Sequence, residues 1–286
     1  MPFLFLSIVF AALNSTLLKK VRLSSAAAVY HFNLLSCAVW LLLLFFINGF
    51  QLHITVQTLL FGLLYGVTQA LFIFFKTAAM NSGPMSVTTL IGNASLLLSV
   101  FVCYFCWSEP ISGGDVIGLA LLLGGIFLAT YQKSNTAISK RWYPFSLLFL
   151  ITAAGVGLSF KAYAKAGGNA INDMMLVAAL TMLLSYLFLC TACALIDKRK
   201  DAPRAAVRTQ FCLYALAAGA LSCLYNRLNI RLASELAAVV FFPVFNGGVV
   251  ILSALLAALF FRERLSKKQA LGMGLGVIGI CMIGIL

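Results

Sequence analysis

Ten runs of apolar residues, each close to the length needed to cross a lipid bilayer, follow one another with barely a gap: 2–18, 26–47, 57–80, 86–107, 115–131, 144–164, 173–196, 209–230, 235–261 and 268–286. A hydrocarbon core about 30 Å thick takes roughly 20 helical residues to span. The connectors are short and carry turn residues, such as Asn81-Ser82-Gly83-Pro84 and Gly167-Gly168-Asn169. None is long enough for a domain outside the membrane, so any chemistry must lie between helices. The composition agrees: 63% of residues are hydrophobic and 9% charged, more apolar surface than one soluble core could hide. No basic segment precedes the first run and no small-residue cleavage site follows it, so the first run is expected to be a retained span. The expected fold is an all-α membrane protein with ten transmembrane helices.

The runs are not independent. Phe261-Arg262-Glu263-Arg264-Leu265-Ser266 has a faded copy in Ser108-Glu109-Pro110-Ile111-Ser112. A shift of 154 places Glu109 on Glu263, Ser112 on Ser266, Gly118 on Gly272 and Gly125 on Gly279. Shifts of 153 and 142 match Gly66, Gln69 and Phe72 to Gly219, Ser222 and Tyr225, and Lys19 to Lys161. The order of these matches predicts two five-helix halves, 1–131 and 144–286, joined by a cytoplasmic linker over 132–143. An odd number of spans per half inserts the second half upside down.

Charge supports the inversion. Connectors after odd-numbered spans hold 15 of the 20 lysines and arginines, against four (Lys161, Lys165, Arg227, Arg231) at the even ends, with Lys76 inside a span. Basic connectors stay on the cytoplasmic side, which predicts that both termini face outward. The same placement explains the net charge of +13 without nucleic acid.

Two inverted five-helix halves, each ending in a long helix, a Glu-x-x-Ser turn and a Gly-rich helix, resemble the drug/metabolite transporter superfamily, in particular its ten-helix EamA-like branch. The resemblance implies a central cavity lined mainly by the first, third, fourth, sixth, eighth and ninth helices. The chain departs from it at His31, where many relatives have Arg, and in the outward termini. Small multidrug members of the superfamily couple export to a Glu in their first helix; the span 2–18 here has no acid.

Polar side chains in mid-span are costly and face protein or water. Gln69, Asn93, Asn246 and, less centrally, Asn14 are therefore expected to bind substrate, their amides suiting an uncharged or zwitterionic solute. The alternative is that they join helices. Arg227 shares a face with Arg231, and Tyr225 and Asn226 precede it. These three, Tyr225, Asn226 and Arg227, complete the candidate binding set. Lys76, Lys161, Arg231 and Glu235 are gate candidates, with Glu235 read as opening the ninth span; snorkelling to headgroups is the competing role for the basic ones. The glycines of the fifth and tenth spans point to close helix packing. All seven acids map to span ends or connectors, where they are expected to stay hydrated.

Cys103-x-x-Cys106 and Cys190-x-x-Cys193 have metal-like spacing, but the two histidines, His31 and His53, are distant in sequence, so no metal and no cofactor are expected. No nucleophile–base pair, acid pair or His-Glu-x-x-His stands in the spans, which argues against an enzyme. The expected function is a secondary transporter, a facilitator or exchanger, for a small polar metabolite such as an amino acid, sugar or nucleoside. A lipid flippase or a channel is the alternative. The expected setting is a bacterial cytoplasmic membrane, with lipid as the other partner and a homodimer among the assemblies allowed.

Overall fold

The computed structural model describes residues 2–21, 25–130, 138–197, 209–261 and 266–283. They form ten helices: α1 (Pro2–Val21), α2 (Ala26–Ile47), α3 (Val56–Ser82), α4 (Met85–Trp107), α5 (Gly113–Thr130), α6 (Trp142–Lys165), α7 (Ile171–Asp197), α8 (Thr209–Glu235), α9 (Ala238–Phe261) and α10 (Lys267–Met282). Among the described residues, nine helices are long and apolar enough to cross a membrane; α10, with 16 residues, is the exception. The protein is an all-α, multi-pass membrane protein.

Helix ends are fixed by connector side chains, because a helix start leaves backbone N–H groups without intrahelical partners. The serine of each Glu-x-x-Ser turn does this work. Ser266 accepts from the Gln269 N–H while the Gln269 side chain accepts from the Ser266 N–H. Ser112 and Asp115 repeat the exchange at α5, at 3.1 and 2.9 Å. Both members of this capping box recur at a spacing of 154, so the motif is a helix-starting device used twice. Thr55 and Thr58 build a third such box at α3.

Contacts between helices pair up when the halves are exchanged. The α3–α6 packing has its counterpart in α8–α1, α3–α7 in α8–α2, and α4–α6 in α9–α1. The glycines show the relation atom by atom. A Cβ on Gly118 would lie 2.8 Å from the Gly279 carbonyl, and one on Gly279 2.7 Å from the Gly118 carbonyl. Gly125 and Gly272 meet reciprocally at 2.5 Å. With 118 equivalent to 272 and 125 to 279, the two crossings exchange as they would about a two-fold axis. Thus α5 and α10 pack backbone to backbone; Gly124 faces open space and takes no part.

The bundle has two ends. One gathers Phe3, Asn48, Glu109, Lys161, Asp173, Arg231 and Ala238, as their mutual contacts show. The other gathers Lys20 beside Tyr214 and Ser82 beside Ser139. Two expectations are corrected here. Glu235 closes α8 instead of opening α9, because it pairs one turn back with Arg231 and the helix breaks at Leu236–Ala237. Three connector acids are buried instead of hydrated: Glu109, Asp115 and Asp173 are 8%, 6% and 6% exposed, each held by hydrogen-bond donors. Much of the expected 132–143 linker, and Glu263 with it, lies outside the described residues; α6 itself begins at Trp142.

Candidate functional site

Gln69 and Ser222 stand at the midpoints of α3 and α8, both 27 residues long, and both line one small cavity of about 50 Å³. Asn33, Trp40, Tyr225 and Asn226 share its wall. The surrounding bonds hold these groups in place. The Tyr65 hydroxyl donates to Asn226 Oδ1 at 3.2 Å, and Asn226 Nδ2 donates to the Ser222 carbonyl at 2.9 Å. Asn14 Nδ2 donates to Ser222 Oγ at 3.3 Å, bringing α1 to the cluster. Tyr65 is fully enclosed, stacked on Phe160 at 4.6 Å and edge-on to Trp40 at 6.4 Å. Two buried polar atoms in this region, Trp40 Nε1 and Asn14 Oδ1, have no hydrogen-bond partner among the described residues. A buried donor or acceptor left unmade costs about 1–3 kcal/mol. The cavity offers amide, hydroxyl, indole and phenol groups and no ionised side chain.

A second, larger cavity of about 660 Å³ opens at the Glu109 end between α1, α7 and α8. Arg227 and Arg231 line it; Arg227 Nε donates to Asn172 Oδ1 at 3.0 Å. Asn172 donates to Asn48, and Asn48 to Asp173 at 2.8 Å. Arg231 pairs with Glu235 at 2.8 Å and lies 5.0 Å over the Phe3 ring.

At the same end Glu109 is the hub of a buried tie. One carboxylate oxygen lies 2.9 Å from Lys161 Nζ and 3.1 Å from Lys165 Nζ, while the other accepts from the Ala238 N–H at 2.6 Å. Lys161, 3% exposed, also donates to the Leu236 carbonyl at 2.6 Å. Burial alone would raise the Glu109 carboxyl. The Ala238 N–H and the two ammonium groups outweigh it and hold the group below its ordinary value. Ser108, in the left-handed region at φ +51°, ends α4 and turns the chain toward this position.

The expected site residues therefore divide. Gln69, Tyr225 and Asn226 share the central wall, with Asn14 joined through Ser222. Arg227 and Arg231 face the other cavity, and Glu235 pairs at its rim. Lys161 belongs to the Glu109 tie, and Lys76 lies 5.7 Å over the Phe72 ring. Asn93 and Asn246 line neither cavity. Asn246 Nδ2 donates to Phe242 of its own helix, and Asn93 Nδ2 is buried without a partner among the described residues. Sequence reasoning missed Trp40, Asn33 and Glu109. Ser222 was reachable, as the repeat partner of Gln69.

Ten helices, whose contacts exchange between the two halves, surround a polar cluster at the midpoints of α3 and α8. The chain belongs to the EamA-like transporter family, whose match covers residues 143–285, from α6 to α10. It is thus a membrane transporter of the drug/metabolite type, a family of transporters and not enzymes. Twenty-nine (29) solved chains match its structure. One, described as "Crystal structure of protein", aligns with a TM-score of 0.77 at 15% identity, over 99% of this chain and 97% of its own. That likeness concerns the fold. No curated protein matches the sequence.

Proposed function

We propose that this protein is a facilitator or exchanger for a small polar metabolite, uncharged or zwitterionic, bound between α2, α3, α7 and α8 and moved by alternating access. The observation that carries the reading is the mid-helix cluster of Gln69, Trp40, Tyr225 and Asn226 around one cavity, with the Trp40 indole N–H unpaired among the described residues. Polar groups at that depth are kept for a solute path or for helix joining. An unpaired donor favours the path.

The halves also differ in one informative way. α6 packs against α8, whereas the half-exchanged pair, α1 and α3, makes no comparable contact among the described residues. An inverted repeat alternates by trading such arrangements between its halves. The charge bias favours an outward-facing Glu109 end. The test is a thermal-stability screen of the solubilised protein against neutral, zwitterionic and anionic metabolites, since a ligand raises apparent stability by mass action. Stabilising neutral or zwitterionic compounds should lose their effect in Gln69→Leu and Asn226→Leu and be taken up by proteoliposomes of the parent protein. Compounds that stabilise both variants as well as the parent would move the site elsewhere.

A further inference from the structure

The cavity between α1, α7 and α8 has a different chemistry from the central cluster. Leu224, Arg227, Leu228 and Arg231 recur at i, i+3, i+4 and i+7, one stripe of α8 that α1 and α7 flank without closing. The antiparallel run from Phe3 to Phe10 on α1 borders it. Phe3 lies at Arg231, so depth increases toward Leu224 and Phe10 by about 10 Å, seven residues at about 1.5 Å each. Arg231 stands at the end of the bundle with Phe3, Arg227 lies one turn in with Leu228 and Leu6 at its level, and Leu224 and Phe10 are deeper.

Two arginines, Arg227 and Arg231, and two carboxylates, Asp173 and Glu235, balance in number but not in pairing. Asp173 is occupied by Asn48 Nδ2 and the His53 N–H, and Arg231 by Glu235. Arg227 meets the neutral Asn172 amide and, among the described residues, no carboxylate. It is a cation one turn below the rim, beside the exposed Leu6, with Phe10 and the exposed Leu224 deeper in the trough. A small polar metabolite would leave that trough unfilled. A phosphate with an acyl chain matches both parts.

We infer that this cleft binds an anionic phospholipid of the surrounding leaflet, its phosphate on Arg227 and Asn172 and an acyl chain along Phe10, Leu6, Leu224 and Leu228. The guanidinium supplies charge-assisted hydrogen bonds to phosphate oxygens. The inference stands apart from the central solute site and survives if that site is placed elsewhere.

The test is native mass spectrometry of the full-length protein in detergent, titrated with phosphatidylglycerol or phosphatidylcholine of the same chains. Phosphatidylglycerol should bind tighter by about tenfold: both lipids carry the phosphate, but the choline ammonium of the other offsets its charge beside Arg227. Arg227→Gln should abolish that preference, while Lys267→Gln, at the opposite end, should keep it. Equal binding of the two lipids, or a preference unchanged in Arg227→Gln, overturns the inference. Glycerol 3-phosphate, which has the head and no tail, should fail to displace the lipid; displacement would mean a site for free anions and would also overturn it. Should Arg227→Gln not fold, Leu224→Asn carries the test through the trough: weaker binding of both lipids supports the assignment and unaltered binding refutes it.

Discussion

Glu109 and Lys161 form an ion pair of 2.9 Å between side chains 10% and 3% exposed, and the other oxygen of Glu109 takes the first N–H of α9. One carboxylate thus joins the α4–α5 turn, the end of α6 and the start of α9. It balances the positive end of the α9 dipole as well as two ammonium groups.

Removing one member of a buried pair strands the other, at a cost of about 3–5 kcal/mol. Glu109→Gln, which leaves the buried Lys161 ammonium on the Leu236 carbonyl without its carboxylate, should therefore lower the melting temperature strongly. Lys165→Met should lower it little, since Lys165 is 42% exposed and solvent screens its share. Glu109→Gln combined with Lys161→Met should be milder than the two losses added, because neither charge is then stranded. Full additivity would show that the pair is not coupled.

The same group sets a pH dependence. Its carboxyl is held below the ordinary 4.5, so its contribution is complete above that value and is lost as pH falls through the lower, folded-state value. The loss of stability on acidification that Glu109 causes should therefore begin below about pH 4.5 and be absent from Glu109→Gln. A Glu109-dependent loss between pH 7 and 5 would contradict the assignment.

The glycine crossings predict a sharp contrast between neighbours. Gly125→Ala would bring a methyl group 2.5 Å from the Gly272 carbonyl and 2.7 Å from the Gly276 nitrogen, both rigid backbone. Overpacking of this kind costs about 1–3 kcal/mol. Gly124→Ala meets nothing within 4 Å and should be neutral or slightly stabilising. Thermal unfolding of the two variants side by side measures the difference. Equal melting temperatures would remove the α5–α10 seam as a stability element.

The orientation can be read with thiol reagents. In a cysteine-free background, Gly113→Cys lies at the Glu109 end, exposed and with room for a side chain, and Lys140→Cys lies exposed at the other. The charge bias predicts that a membrane-impermeant maleimide labels position 113 in intact cells and labels 140 after lysis alone. The reverse pattern would place the termini in the cytoplasm and leave the fold untouched.

The bundle was largely legible from run length, since a bilayer admits few ways to bury 20 apolar residues. The duplicated turn was legible as well, through Ser112 and Ser266, because a cap acts on its own helix and its spacing is local. The site was harder to read. Gln69 and Ser222 line one cavity as repeat equivalents on α3 and α8, and the repeat shift carried that pairing. Trp40 looks like one more apolar residue until its N–H is seen without a partner. Glu109 looked hydrated because a connector usually is; its neighbours Lys161 and Ala238 come from 52 and 129 residues away. Burial created by such distant contacts has no local sign.

The last prediction concerns energy coupling. A proton-driven carrier keeps a carboxyl or imidazole at the depth where the solute binds, with burial moving its pKa toward neutrality. Among the described residues no carboxylate holds such a position. Glu109 sits in a turn, Asp115 and Asp173 in the first turns of α5 and α7, and Asp197 and Glu235 end α7 and α8. α1 has no acid, and Asp201 and Glu263, outside the described residues, fall in connectors of the sequence. His31 is exposed near the start of α2, its ring nitrogen 2.8 Å from the Ala27 carbonyl, away from the central wall. Flux should therefore follow the solute gradient. With a confirmed neutral substrate in proteoliposomes, an imposed pH gradient at clamped voltage should leave the internal concentration at or below the external one. Accumulation above that limit that collapses with the proton gradient would refute facilitated movement. The same experiment in Glu109→Gln would then show whether the buried carboxylate of the tie is the proton's carrier.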